Sequence, residues 1–403
     1  MSEWKEVRLS EVTSILGDGI HGTPVYSEQG DYYFINGNNL CEGRIVLKPD
    51  TKRVSEEEYH KHKKELNSRT LLFSINGTIG NVAKYNGEPC ILGKSACYFN
   101  VLNTVDKDFI YYVISSPSFV KSMSNLANGT TIKNVSLKQM RDKTFLLPSF
   151  ETQRSIASIL SSLDSKIENN RKICANLEAQ AQALFKHWFI DFAPFKDGKF
   201  VESELGMIPE GWRVGKLGDV TEFLNGFAFK SSSFVSKGKY KVITIKAVQD
   251  GKLITDSADE IEDLSLNIPS HCVLKIGDIL LSLTGNVGRV CIVTQDNLVL
   301  NQRVCILNPR NLIDRGYVYT LSRTKLLKTR MINIAKGTAQ ANLSPVETSK
   351  LSIVVPPRYI LDKFGIIANE YMSEIISAYQ ENQRLTSLRD TLLPKLMSGA
   401  IKV

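Results

Sequence analysis

The stretch "SINGTIGNV" at 74–82 returns 208 positions later as "SLTGNVGRV" at 282–290. Ser74 matches Ser282, Gly77 and Gly80 match Gly285 and Gly288, and Val82 matches Val290. Other blocks share that offset. "WKEVRLSEVT" at 4–13 aligns with "WRVGKLGDVT" at 212–221, and "ILGKSACYFN" at 91–100 aligns with "VLNQRVCILN" at 299–308. "ANGTTIKNVS" at 127–136 aligns with "AKGTAQANLS" at 335–344, and Pro148 matches Pro356. One constant spacing across separated blocks marks a tandem duplication, which governs every later reading of the fold.

Within each copy, short apolar runs alternate with Gly, Asn, Asp and Pro. "RTLLFSI", "NVAKY" and "KTFLLP" in the first copy, and "DILLSL", "VCIV" and "KLSIVVP" in the second, read as strands. Single helices are expected over 109–127 and 316–335. The repeated glycines fall between strands, so they read as tight turns that need positive φ. Contact of the turn's N–H groups with phosphate is a secondary role; the KH-type GxxG clamp joins helices instead.

Beyond Pro148 the pattern changes. Residues 151–190 lack Gly and Pro, and Ile156, Leu160, Leu163, Ile167, Asn170, Cys174, Leu177, Ala181 and Leu184 alternate in steps of four and three. That is a coiled-coil seam. The second copy offers Phe364, Ala368, Tyr371, Ile375, Ala378, Asn382, Leu385, Arg389 and Leu392, with Leu388 expected to replace Arg389. Asn170 and Asn382 are register-setting polar positions. The predicted class is therefore α+β: two pseudo-twofold-related domains separated by a pair of long antiparallel coiled-coil helices. The boundaries are 1–150 for the first domain, 151–190 for the first helix, 191–211 for a linker, 212–358 for the second domain and 359–403 for the second helix.

Composition bounds the function. Of 403 residues, 42% are hydrophobic and 23% charged, as in an ordinary globular chain. No signal peptide or membrane span is visible, and seven cysteines without a CxxC pair suit reduced thiols in a cytoplasmic protein. Net charge is +8. Residues 1–150 carry 18 Lys+Arg against 16 Asp+Glu, residues 196–358 carry 22 against 16, and the two helical segments are neutral. The excess suits a polyanion partner, and neutral helices suit a protein partner.

Catalytic inventories come up short. "GEPCILGKS" at 87–95 places five residues between Gly87 and Gly93 where a phosphate-binding P-loop has four. There is no GxGxxG and no methyltransferase-type Asn-Pro-Pro-Tyr run. His60 and His62 in "YHKHKKE" lack a completing ligand set and read as a solvated helix face. Cys97 and Cys305 read as core. Neither a metal nor a cofactor is expected.

Several stretches together resemble the specificity subunit of Type I restriction-modification systems. They are "GTPVYSEQGDYYFINGNNL" at 22–40, "GTIGNVAKY" at 77–85, "LPSFETQRSIASILSSLDSKIENNR" at 147–171, "LFKHWF" at 184–189 and "LRDTLLPKLMSG" at 388–399. The resemblance implies that each domain is a target-recognition domain reading half of a bipartite site in double-stranded DNA. It also implies that the helices set the half-site spacing and dock two methyltransferase subunits, with motor-endonuclease subunits joining for restriction, and that the chain itself is not an enzyme. A coiled-coil scaffold with protein-binding ends is the alternative. The second copy lacks Gly-Thr-Pro and the Thr-Gln of 152–153, reading "VVPPRYILDKFGIIA" at 354–368.

Side chains whose types pair with base edges define the candidate DNA contacts. In the first domain they are Thr23, Tyr26, Asn36, Asn38, Asn39, Lys94, Lys133 and Asn134. In the second they are Lys230, Ser231, Lys246, Asn286, Arg289, Gln302, Arg303, Lys336, Gln340 and Asn342.

Overall fold

Strand pairing repeats at the sequence offset. In this computed structural model, which describes residues 4–129, 133–337 and 341–403, Ala96 lies opposite Ser74, and Val304 opposite Ser282. Lys5 pairs with Leu147, and Arg213 with Val355. Tyr33 pairs in parallel with Cys90, and Lys241 with Leu298. Both partners move by the same amount each time, so the duplication preserved register as well as residues.

The chain divides into two units, Met1–Ser165 with Leu385–Val403, and Lys166–Arg384. Each holds a four-stranded antiparallel sheet. In the first unit the order is Thr13–Asp18, Ala96–Val101, Thr70–Ser74, Val82–Lys84. In the second it is Thr221–Asn225, Val304–Pro309, Ile279–Ser282, Val290–Ile292. Ala96–Val101 is buried along its whole length, as expected for a near-continuous apolar run covered on both faces. A three-stranded sheet flanks each of these sheets. Pairing of the edge strand differs between the copies: the first has a register shift between Asn100 and Val101, whereas Thr221–Asn225 pairs without a break.

The single helices expected over 109–127 and 316–335 are each two. Lys107–Ser115 stops where Ser116 caps Pro117–Leu126, its hydroxyl accepting from the Phe119 N–H at 3.3 Å. Pro117 has no N–H to continue the first helix and suits the first position of the next. Thr324 caps Lys325–Ile334 in the same way.

The long helices are Phe150–Phe189 and Arg358–Met397, 40 residues each. Within the second unit, Asn170 meets Asn382 and Cys174 meets the Ile375 carbonyl, so the two run antiparallel. The Asn170 amide donates to Asn382 Oδ1 at 3.0 Å and to Glu381 at 2.6 Å, and Asn382 donates to the Ile167 carbonyl at 3.3 Å. Both asparagines are buried with their amides bonded across the pair.

Ile156, Leu160, Ile167, Cys174, Ala181, Phe364, Ala368, Ile375 and Ala378 are buried. Leu163, Leu177, Leu184, Tyr371, Leu385 and Leu392 are half-buried. Beside three of these, the next residue takes the buried place: Phe185, Met372 and Leu393. An α-helix drifts about 20° per heptad against a strict 3.5 repeat, which moves the buried stripe one position along. Leu388 does not replace Arg389. It is 47% exposed, while Arg389 bonds Asp164 at 2.8 Å within the first unit.

The missing Thr-Gln of the second copy is an internal change. Gln153 is buried, donating to the Pro148 carbonyl at 2.9 Å and accepting from the Asp106 N–H at 2.9 Å. Its counterpart, Leu361, is buried in the core of the second unit. Here Arg358 takes the carboxylate of Asp314, at 2.7 Å from one oxygen. The stretch expected as a linker also carries structure. Phe200–Ser203 and Gly206–Pro209 form a hairpin, and Phe192 and Phe195 pack on Trp212 at ring distances of 5.4 and 5.1 Å.

Six cysteines are buried and Cys41 is exposed. Burial pushes the Cys90 thiol up to about 12 and the Cys174 thiol to about 11. The thiolate is the reactive form, so a disulfide reagent at pH 8 should titrate one thiol in the native chain and all seven in denaturant. Rapid loss of two or more native thiols would contradict this burial.

Candidate nucleic-acid interface

At one end of each four-stranded sheet, loops from separate parts of the chain are sewn together by backbone hydrogen bonds. In the first unit, Ile20 N–H donates to the Leu92 carbonyl at 2.8 Å, Gly93 to Ile35 at 2.8 Å and Ile75 to Ser95 at 3.0 Å. Gly77 donates to Lys133 at 3.2 Å, and Val135 to Ile75 at 2.8 Å. In the second unit, Gln302 donates to Phe227 at 3.0 Å, Asn301 to Ile243 at 3.1 Å and Leu283 to Arg303 at 3.0 Å. Gly285 donates to Ala341 at 3.0 Å, and Leu343 to Leu283 at 2.7 Å. Five loops thus form a continuous rim on each unit. Their backbone groups are bonded to one another, which leaves the exposed side chains to face outward.

The glycine turn forms one side of each rim. Gly77, Gly80, Gly285 and Gly288 have φ of 72°, 100°, 73° and 77°, the left-handed region that glycine enters without a Cβ penalty. The serine before each turn closes it. Ser74 Oγ donates to the Thr78 carbonyl at 2.5 Å and accepts from the Asn81 N–H at 2.8 Å; Ser282 does the same with Asn286 and Arg289 at 2.6 and 3.2 Å. The turn reading therefore holds.

An added Cβ at Gly77 meets open space, but at Gly80 it meets Val120 at 2.3 Å. Gly77→Ala should cost about 1–2 kcal/mol for the left-handed backbone, and Gly80→Ala about 1–3 kcal/mol more for the clash. Urea midpoints of the two variants check the order; equal midpoints would contradict the packing described.

Most sequence candidates stand on these rims. Asn38, Lys94 and Lys133 are exposed and Asn36 and Asn134 half-buried in the first unit. Lys230, Ser231, Lys246, Asn286, Gln302, Arg303, Lys336 and Asn342 are exposed in the second. Thr23 is exposed in the loop that follows Ile20. Asn36 Oδ1 accepts from Ser95 Oγ at 3.0 Å, Asn342 Oδ1 accepts from Thr284 Oγ1 at 3.0 Å, and Arg289 donates to Gln249 at 2.5 Å. Tyr26 stands on the flanking three-stranded sheet, bridged to Val54 beneath Lys52. Gln340 lies outside the described residues.

Asn39 is a correction. It is buried, its amide donates to the Val46 carbonyl and Thr51 Oγ1, both at 3.1 Å, and its Oδ1 accepts from Asn36 N–H at 3.0 Å. It holds the loop's shape and has no amide hydrogen left to present outward.

Residue type alone does not single out Asn81, Ser95 and Gln249. Asn81 donates to the Gly37 carbonyl at 3.1 Å, Ser95 Oγ accepts from Gly37 N–H at 2.9 Å, and Gln249 holds Arg289. The sequence did carry one signal for the rims, a glycine ending the first sheet strand of each copy. A Cβ at Gly19 meets the Leu92 carbonyl at 2.0 Å, and one at Gly226 meets that of Asn301 at 2.1 Å. Glycine marks where two loops must touch.

The rim loops of the second unit run through stretches of sequence without acids. The sequence holds no Asp or Glu between Glu222 and Asp250, between Asp278 and Asp296, or between Asp314 and Glu347. These spans contain every second-unit candidate except Gln302 and Arg303, which fall between Asp296 and Asp314, another acid-free run. His60 and His62 lie on the helix Glu56–His62 against Glu56 and Glu58, at 3.6 and 3.1 Å. Among the described residues, no helix is long and apolar enough to cross a membrane.

Comparison with known proteins agrees with this construction. A family model described as the Type I restriction modification DNA specificity domain matches residues 1–179 and again 209–389. The MjaIX specificity subunit of Methanocaldococcus jannaschii is 27% identical over all of this chain and 94% of its own. The HindI specificity subunit of Haemophilus influenzae is 25% identical over 74% of this chain and 78% of its own. A crystal structure of a Type I S subunit from M. genitalium superimposes with a TM-score of 0.56 at 20% identity, covering 98% of this chain and 96% of that one. With the family model matched twice over most of its length, the chain belongs to the Type I restriction-modification DNA specificity family.

Proposed function

We propose that this chain is the non-catalytic DNA-reading subunit of a Type I restriction-modification complex. Each unit reads one half of a bipartite, asymmetric site in double-stranded DNA. The helices set the half-site spacing and dock two methyltransferase subunits, and motor-endonuclease subunits join for restriction.

The observation that carries this reading is the duplicated rim: one backbone construction, furnished with different side chains in each copy. Two readers built alike but equipped differently suit a target whose halves differ. Arg and Lys suit guanine, and Asn and Gln suit adenine, with a good bidentate pair contributing about 1–3 kcal/mol of discrimination.

The test is to map methylated motifs in cells that express the chain with its methyltransferase partner. A two-part, non-palindromic motif is expected, and exchanging one copy's rim residues should change one half only. Removing one heptad from both helices should change the spacer and leave the half-sites intact. Duplex binding without sequence preference would favour the scaffold, and methyl transfer by the chain alone would overturn the non-catalytic assignment.

A further inference from the structure

The two rims are alike in backbone and unlike in charge. In the second unit, four cations stand exposed on the joined loops: Lys230, Lys246, Arg303 and Lys336. None of the four takes part in an ion pair among the described residues. The acid nearest in sequence to Lys336, Glu347, is paired with Lys350 at 2.8 Å. In the first unit the corresponding loops present Lys94 and Lys133. The exposed or half-buried asparagines beside them, Asn36, Asn38, Asn76 and Asn134, are neutral. The same imbalance appears at the scale of the copies, with 22 Lys+Arg against 16 acids over 196–358 and 18 against 16 over 1–150.

Beside the rim, two cations are paired with an acid and others are tied to neutral acceptors. Asp250, at the foot of the rim, is engaged by Lys328 at 2.5 Å and by Arg323 at 3.5 Å. Lys241 donates to the Thr255 carbonyl at 3.3 Å. The four rim cations have no ion-pair partner among the described residues; the Glu347 carboxyl is held low mainly by its bond to Lys350, and Lys336 adds to this only at longer range.

Charge type bears on what each rim does. A lysine ammonium is a compact point charge suited to a phosphate, and phosphate contacts position a protein without carrying sequence information. An asparagine amide contributes little to counterion release but can discriminate a base edge. Resting on the DNA-reading function above, we propose that labour is divided between the copies. The second rim is the phosphate anchor that supplies most of the salt-dependent affinity. The first rim supplies discrimination with little charge.

The experiment compares two variants of the full chain in complex with its methyltransferase partner. One is Lys230→Gln, Lys246→Gln, Arg303→Gln and Lys336→Gln together; the other is Lys94→Gln with Lys133→Gln. All six side chains are exposed, and matched thermal unfolding confirms that each variant folds. Binding is measured by fluorescence anisotropy against salt, on a duplex carrying the methylated motif and on a scrambled duplex. Each lost phosphate contact should flatten the slope of log K against log salt by about 0.9. The fourfold variant should therefore lose up to about 3.6, and the double variant at most about 1.8. The ratio of specific to scrambled binding should stay level in the fourfold variant and fall in a chain carrying Asn38→Ala and Asn134→Ala.

A slope change in the fourfold variant no larger than in the double variant overturns the division of labour. So does a collapse of its specificity ratio, which would make the four cations base readers. If the unaltered complex shows no salt-dependent duplex binding, the DNA-reading function itself falls, and the two failures are told apart by that control.

Discussion

Phe364→Ala should lower the stability of the second unit by about 3–5 kcal/mol, the range for emptying an aromatic site in a core. Phe364 is fully buried on the second long helix, and four rings close around it. Phe189 lies at 4.9 Å, Phe185 and Trp188 at 5.9 Å and Tyr317 at 6.1 Å, all near edge-to-face. The four rings come from two other helices, Phe150–Phe189 and Arg315–Ser322, so the cavity cannot close by moving one side chain. The same cluster reaches Trp212 through Phe189 at 5.9 Å. Two of the three tryptophans therefore report on this core, and denaturation followed by tryptophan emission should show the loss directly. Phe364→Leu, which keeps most of the volume, should cost clearly less. An unshifted midpoint for the alanine variant would mean that the aromatic cluster does not hold this unit.

The second large effect concerns charge. Glu178, on the first long helix, accepts from the Tyr319 hydroxyl and from the Arg323 guanidinium, which also lies over the Tyr319 ring at 5.3 Å. The side chains of Arg323 and Glu178 are only 17% and 18% exposed. Burial pushes the Tyr319 phenol well up, keeping it a neutral donor, and pulls the Arg323 guanidinium down, the direction expected of a shielded cation. Glu178→Ala strands a shielded cation, for which losses of about 3–5 kcal/mol are typical. The low end is expected, because Asp250 still faces Arg323 at 3.5 Å. Removing both partners, as Glu178→Leu with Arg323→Met, should recover most of the loss. A double-mutant cycle checks this; additive losses would show that the pair is not coupled.

The first unit uses another residue pair to the same end. Asp164 accepts from the Tyr112 hydroxyl at 2.6 Å and from Arg389 at 2.8 Å. This is where the seam pattern of the helices fails. A seam rule admits apolar residues, and Arg389 breaks it in sequence, but a carboxylate across the pair and a phenol beside it make the cation the better occupant. Leu388 had hydrophobicity in its favour and nothing to pack against. The duplication, the strands and both long helices were legible because they depend on local period and on comparing the chain with itself.

The rims were legible only by residue type. Asn38 and Asn39 are adjacent and chemically identical, yet one is exposed and the other buried with its amide bonded to Val46 and Thr51. Nothing local separates them; the difference is made by a loop returning seven and twelve residues later. Residue type does not single out Asn81 or Gln249 for the same reason, since their roles come from partners 44 and 40 positions away.

The composition of the two units has a consequence for how the chain is made. Lys166–Arg384 is one uninterrupted stretch, whereas the other unit needs both ends, with Leu393 and Leu396 completing the core around Ile156 and Leu160. On the ribosome, domains fold as units while the chain emerges. The segment translated first must therefore wait, incomplete, until residues 385–403 leave the exit tunnel, and the later segment can mature ahead of it. A message cut short before Leu385 would yield a product whose middle is sound and whose beginning is exposed to proteases.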